Sequence, residues 1–232
     1  MTPERRIRAR RPLAHRNRPG VAAALALCAL LEAGLPAAAS APANAAPMRA
    51  GAPSASRLRL GARLRSAGRA ECAFVRLATD AFTGRPQRTR GRLTLETPDR
   101  SRLEFPSSGE RITLRGDGGE WLQPRLRQLV VFGPARASGA RRWWQLLMDG
   151  SAPGIDVVPR GARVLMLRSA DGAGPDSARL ELDGAGLPAR LVVPDGEANV
   201  EYRFSGWSFG AARGPAAFRQ RAPAEFERVE MP

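Results

Sequence analysis

The chain has 232 residues, and its 37 basic and 22 acidic side chains give it a formal net charge of +15. All of the basic side chains are arginines, and the one histidine is His15. The lack of lysine excludes Schiff-base and Ser-Lys chemistry, and a lone histidine excludes a metal site built from several histidines.

The first 45 residues are predicted to be a secretory signal peptide. Residues 1–20 carry seven arginines and one acid, and residues 21–31 form an apolar run that an Ala/Pro-rich stretch follows. This order is typical of a secretory leader, and the run is shorter than the roughly 20 residues that a membrane-spanning helix needs. Because Ala43 and Ala45 are small residues at the positions that a signal peptidase reads, we predict cleavage after Ala45, with residues 37–39 as a second candidate.

Other interpretations of this leader are a mitochondrial transit peptide, twin-arginine export and a lipoprotein anchored through Cys28. A transit peptide lacks a compact apolar core. Leu27 precedes Cys28 where lipid modification requires a small residue. Residues 46–56 are rich in Ala, Pro and Ser and predict a disordered linker. We therefore expect a periplasmic protein with one domain, residues 57–232.

The basic excess persists after the leader is removed, at a net charge of about +10. It indicates either a nucleic-acid surface or strands whose arginines face solvent. Arginines alternate with apolar residues in 92–96 and 102–105, which favours solvent-facing strands. An exported protein also meets no DNA, so we expect no nucleic-acid partner.

A short amphipathic helix is predicted first, because Leu58, Leu60 and Leu64 follow helical spacing and Gly68 can end the helix. Apolar residues then recur with a period of two, which predicts strands separated by turns. The predicted strands lie near residues 72–77, 93–95, 103–105, 112–114, 120–123, 129–132, 164–167, 178–182, 187–193 and 200–204, with a last pair near Phe218 and Phe226. This succession predicts a mainly β (α+β) fold, in which a curved antiparallel sheet forms an incomplete β-barrel behind an N-terminal helix.

Residues 141–148 interrupt this pattern, because they show neither strand alternation nor turn residues. They predict one or two helical turns crowded with bulky apolar groups. Such a helix over a sheet suits a lid, and flexible Met and Leu side chains suit a variable ligand. The predicted lid residues are Trp144, Leu147 and Met148.

A curved sheet of this size cannot fill its interior from one face alone, so its inward residues need a packed helix or a ligand. An ordinary core is the alternative for each of them. The predicted lipid-binding cavity is lined by Leu93, Leu95, Leu103, Phe105, Ile112, Leu114, Trp121, Leu129, Tyr202 and Phe204.

Catalysis finds little support in the residues. His15 falls in the predicted leader, which removes Ser-His-Asp and Cys-His systems, and no phosphate-binding glycine motif is present. Paired carboxylates could cleave a glycosidic bond, which leaves a carbohydrate-active enzyme as an alternative. Glu104, Glu181 and Glu201, however, stand at outward positions beside arginines. We expect no enzyme, no cofactor, no catalytic residue and no metal site.

From about Leu58 onward, several motifs follow one another in a set order. They are a strand and Pro-Asp turn, an aromatic-bearing strand, an Asp-Gly turn, a Trp, and a Pro before a Gln-Leu pair, at residues 91–100, 102–105, 112, 116–118, 120–121, 124 and 128–129. In order and spacing they resemble the periplasmic outer-membrane lipoprotein carrier proteins, the LolA family. Residues 144–148 fall where that family has a helical lid, and residues 218–227 resemble its final Phe-x-Phe-x-x-Pro strand.

The resemblance implies a half-barrel capped by helices that binds the acyl chains of lipoproteins in a hydrophobic cavity. Such a carrier delivers them from the inner to the outer membrane. The implied partners are acylated lipoproteins, an inner-membrane lipoprotein-releasing ABC transporter and an outer-membrane acceptor lipoprotein. We expect the carrier to be a monomer.

The chain departs from the family at the lid latch. An arginine often precedes the proline of the first turn there and latches the lid, whereas Thr97 holds that position here. Arg100 and Arg102 are the candidates to replace it. The departure keeps a second function open, an envelope sensor or scaffold with a LolA-like domain that binds another lipid or a protein partner.

Overall fold

A computed structural model of the chain describes residues 58–80, 83–169, 178–195 and 198–231. The predicted signal peptide (1–45) and linker (46–56) lie outside the described residues. Within these ranges, no helix has the length and apolar character needed to cross a membrane.

The described part of the chain contains two α-helices, one short 3-10 helix and twelve strands. The helices are α1 (Leu60–Ala67) and α2 (Pro134–Asp149), and the 3-10 helix is Pro215–Phe218. The strands are β1 (Arg69–Thr79), β2 (Pro86–Glu96), β3 (Arg100–Phe105), β4 (Glu110–Arg115), β5 (Gly118–Gln123), β6 (Gln128–Phe132), β7 (Ile155–Pro159), β8 (Val164–Ser169), β9 (Ala178–Leu182), β10 (Pro188–Asp195), β11 (Ala198–Gly210) and β12 (Glu227–Met231).

All twelve strands belong to one sheet, in the order β12-β6-β5-β4-β3-β2-β1-β11-β10-β9-β8-β7. Neighbouring strands pair antiparallel, except that β12 runs parallel to β6. The two edge strands of the described sheet, β12 and β7, do not pair with each other, so the sheet stays open. This confirms the predicted fold class, a mainly β domain with an incomplete barrel, an N-terminal helix and a second helix in mid-chain.

Three details differ from the sequence prediction. Strand β7 (Ile155–Pro159) was not predicted, since the predicted strands resume only at Val164. The mid-chain helix has 16 residues rather than one or two turns, because Pro134 suits its first turn and Gly150, in the left-handed conformation, ends it. The predicted last pair of strands is wrong in its first member. Phe218 ends the 3-10 helix and packs on a face of the sheet beneath Arg100 and Arg102, so only β12 pairs at the edge.

Side chains alternate between two faces of the sheet that differ in chemistry. One face, which we name the apolar face, carries Leu93 on β2 directly beside Leu103 on β3. The other, the charged face, carries Arg102 on β3 and Glu120 on β5, each paired with Thr113 on β4. Buried residues of the apolar face come from ten of the twelve strands and form one continuous hydrophobic core.

Both helices cover the apolar face. Leu64 of α1 and Leu146 of α2 belong to the same core as the sheet residues. α1 packs against β1 and β11, while α2 packs against β4, β5 and α1. The two helices meet at Gly61, where a Cβ atom would collide with the carbonyl oxygen of Met148.

The charged face is crossed by residues 211–226, which we name the C-terminal strap. The fully buried carboxylate of Glu96 accepts hydrogen bonds from the backbone N–H groups of Arg213 (2.6 Å) and Gly214 (3.0 Å). Glu120 accepts a third from the N–H of Gln220 at 2.6 Å. These hydrogen bonds fix the strap on the sheet and so bring β12 to the edge beside β6.

Glu96→Gln should lower the free energy of unfolding by about 1–3 kcal/mol, because the neutral amide is a weaker acceptor for the strap and loses the ion pair with Arg100. Glu230→Gln, at an exposed position on β12, should change it by less than about 0.5 kcal/mol. Denaturant unfolding at neutral pH measures both values. Equal losses in the two variants would show that Glu96 has no special role in holding the strap.

Gly61→Ala should lower the melting temperature, although alanine is intrinsically the better helix former by about 1 kcal/mol. The added methyl group must push α1 away from the backbone of α2. Ser66→Ala, at an exposed position of the same helix, is the control and should keep or raise the melting temperature. Thermal unfolding followed by circular dichroism tests this, and a Gly61→Ala protein more stable than the parent would contradict the tight helix contact.

Candidate functional site on the apolar face

The structure gathers most of the predicted cavity residues on the apolar face. Nine of the ten are buried there in one core. These nine are Leu93, Leu95, Leu103, Phe105, Ile112, Leu114, Trp121, Tyr202 and Phe204. The predicted lid residues Trp144, Leu147 and Met148 lie on α2 and belong to the same core. Sheet and helix therefore meet in one layer of apolar side chains, and whether a lipid enters that layer remains a prediction.

Leu129 does not belong to this group, and its predicted inward orientation is wrong. It pairs with Leu122 on β5, on the face opposite to Trp121. Both leucines are buried but lie outside the main core. Residues 129–132 are all apolar, so alternation alone could not tell which of them points inward, and the strand register decides it.

A row of aromatic rings runs across the apolar face from β3 to β11. Ring centroids lie 5.7 Å apart between Phe105 and Phe74, and 6.0 Å apart between Phe74 and Tyr202. The row continues through Phe204 at 6.4 Å to Trp207 at 6.0 Å. The sequence analysis included neither Phe74 nor Trp207 in the site.

Gly91 explains how rings on β1 and β3 can touch across β2. It lies opposite Phe74, and a side chain at this position would collide with the Phe74 ring. A glycine inside a strand can mark such a close approach. A glycine within a predicted strand, Gly91, could therefore have indicated the aromatic row from the sequence.

Several polar side chains are buried on or against the apolar face with donor atoms that lack a hydrogen-bond partner among the described residues. They include Arg76 (Nε and Nη2), Ser101 (the hydroxyl) and the indole Nε1 atoms of Trp121 and Trp144. Leaving a buried donor unpaired costs about 1–3 kcal/mol. A ligand that brings acceptor oxygens into the layer would remove part of that cost.

Two further findings concern the reactive groups of the described residues. Burial raises the pKa of the Cys72 thiol, so the thiol stays protonated and is a poor nucleophile. In the described ranges, no three His, Cys, Asp or Glu side chains are grouped so that they could hold a metal ion.

A cavity of about 210 Å³ opens where α2 meets the turn between β2 and β3. It is lined by Pro98, Asp99, Gln145 and Met148. This is less than the roughly 300–1,000 Å³ of a usual small-molecule site.

The candidate replacements for the lid latch point away from α2. Arg100 binds the Glu96 carboxylate on the charged face, with Nη2 3.0 Å from Oε1. Arg102 lies on the same face over the Phe218 ring, 5.6 Å from its centroid. Since the sheet separates both side chains from α2, neither can latch the lid, and that suggestion is wrong.

Alternating charges cross the charged face on β9, β10 and β11. The Arg190 guanidinium lies between two carboxylates, 3.1 Å from Glu181 and 2.7 Å from Glu201. Hydrogen bonds from Arg190 and Arg203 lower the pKa of Glu201 to about 2. This network uses several of the chain's many arginines in ion pairs within the fold.

Comparison with known proteins gives similarity to solved structures only. No family model and no curated protein matches the chain. An uncharacterised conserved protein from Thermus thermophilus shares 15% identity with a TM-score of 0.45, covering 76% of this chain and 96% of that one. A LolA superfamily protein from Nitrosomonas europaea shares 11% identity with a TM-score of 0.44, covering 72% of this chain and 97% of that one. A putative outer membrane lipoprotein-sorting protein domain from Vibrio parahaemolyticus shares 11% identity with a TM-score of 0.37, covering 65% of this chain and 89% of that one. Function does not transfer between proteins at such distances.

Glu201→Gln should destabilise the protein at neutral pH by about 1 kcal/mol, because the amide cannot pair with Arg190 and Arg203. The Glu201 pKa is about 2 in the folded protein, against an ordinary value of 4.5. The carboxylate therefore contributes its full stability above pH 4.5, and the contribution disappears as the pH falls towards 2. Denaturant unfolding of both proteins at a series of pH values should show the difference shrinking in that window, and a constant difference would contradict the assignment.

Proposed function

We propose that this protein is a non-enzymatic carrier of the envelope that binds the acyl chains of lipoproteins on its apolar face. One observation carries the proposal, namely that an apolar face built from ten strands is covered, in the described part of the chain, by one eight-residue and one sixteen-residue helix. The leader predicted from residues 1–45 supports action in the periplasm, between an inner-membrane releasing transporter and an outer-membrane acceptor.

The energy of acyl burial is sufficient for such a role. Each methylene moved from water into an apolar site contributes about 0.8 kcal/mol, so a single chain can offset the displacement of a short helix. α2 can move as a unit because glycines stand at both of its ends, Gly133 before it and Gly150 after it. Its apolar residues would then exchange contacts with the sheet for contacts with the ligand.

A second candidate function follows from the position of the arginines near the first turn. Since Arg100 and Arg102 are engaged on the charged face, the lid lacks the latch that the carrier family uses. A binding domain without that latch suits an envelope sensor or scaffold that holds a lipid or a protein partner and does not release it to an acceptor.

Leu147→Ala should weaken the binding of an apolar fluorescent probe at least fivefold, because Leu147 on α2 faces the proposed binding layer. Leu129→Ala is the matched control, since it removes the same atoms from a buried leucine on the other face. Each substitution costs about 2–5 kcal/mol of stability. A probe titration on protein that is still folded by far-UV circular dichroism distinguishes them, and equal probe affinities in the two variants would count against the site.

Release of lipoproteins separates the carrier from the sensor. The purified protein, added to spheroplasts, should bring newly acylated lipoproteins into the soluble fraction if it is a carrier. Probe binding without release would favour the sensor. Cleavage of a polysaccharide without probe binding would overturn both and favour a carbohydrate-active enzyme.

A further inference from the structure

Arg76 is a buried arginine on the apolar face. It lies on β1 two residues after Phe74, between Thr89 of β2 and Tyr202 of β11. Only 2% of its surface is exposed, and its Nε and Nη2 atoms have no hydrogen-bond partner in the part of the chain that the structure describes. The two arginines of the charged face that border the strap, Arg100 and Arg115, by contrast pair with Glu96 and Glu120.

A buried guanidinium with two unpaired donors is costly, because each buried donor without a partner loses the hydrogen bond that it would make to water. Asp80, the residue that follows β1, has a carboxylate that accepts hydrogen bonds from Thr83 and Gln87.

We propose that Arg76 binds the anionic end of an amphiphile, a carboxylate or a phosphate, whose hydrocarbon chain lies along the aromatic row of the apolar face. The guanidinium fork matches both anions in bidentate geometry. The proposal rests on the function proposed above and adds a preference for negatively charged lipids.

The position of Arg76 suits a head group. Arg76 lies seven positions after Arg69, where β1 begins beside α1. At 3.3 Å per residue, the two positions are about 23 Å apart along the strand. Phe74, Tyr202 and Phe204 lie beside it on the apolar face. A chain bound with its charge at Arg76 can therefore extend over apolar side chains towards the helices.

Competition for an apolar fluorescent probe tests the preference. The competitors are dodecanoate, dodecyl phosphate and the neutral methyl dodecanoate, each below its micelle-forming concentration and each added to the purified protein. The two anions should displace the probe at concentrations about tenfold lower than the ester, as expected for charge-assisted hydrogen bonds. The stronger of the two anions identifies the head group as carboxylate or phosphate.

Arg76→Met should abolish this preference while leaving the affinity for the ester within about twofold. Arg88→Met, at an exposed position on the charged face of β2, should leave the preference intact. Because two donor atoms of Arg76 are buried without a partner among the described residues, Arg76→Met should also keep or raise the melting temperature. A clear fall in melting temperature would mean that Arg76 serves the fold and would overturn the proposal.

The remaining outcomes separate this inference from the function on which it rests. Equal displacement by anions and ester in the unmodified protein, or an anion preference that survives Arg76→Met, overturns the role of Arg76 and leaves acyl binding standing. Failure of all three amphiphiles to displace the probe overturns acyl binding itself.

Discussion

The apolar face of the sheet has to be kept from water, and the remaining architecture follows from that requirement. A twelve-stranded open sheet has two faces, and this chain makes one of them hydrophobic along ten strands. Because the sheet does not close on itself, that face has to be covered by other elements, and among the described residues α1 and α2 cover it. Their contact at Gly61 brings the two short helices close enough to form a single roof.

On the charged face, carboxylates hold the C-terminal strap against the sheet. Glu96 and Glu120 accept backbone hydrogen bonds from the C-terminal strap, and the chain thereby returns from β11 in mid-sheet to β12 at the edge. Some of the arginines that suggest a nucleic-acid surface in the sequence form ion pairs instead, either beside the strap or between β9, β10 and β11. Stability therefore comes from both faces, while the proposed ligand binding concerns the apolar face alone.

The packing of the apolar face is tight where the helices lie and imperfect at its polar groups. Ordinary cores satisfy their buried donors, and leaving one unpaired is costly. Here Arg76, Ser101 and Trp144 keep unpaired donors in an otherwise apolar layer. In the proposed function, an amphiphile that displaces the helices would supply acceptors for these donors.

The alternation of apolar and polar residues was sufficient, in the sequence alone, to determine the mainly β fold and the helix ending at Gly68. It also placed nine of the ten predicted cavity residues correctly on one face of the sheet. It could not orient Leu129, because a run of four apolar residues carries no period, and only the pairing with Leu122 settles its side. It could not anticipate the positions of Arg100 and Arg102 or the isolation of Arg76 either. Which charges meet depends on strands and a strap that are distant in sequence, so the tertiary structure alone decided those contacts.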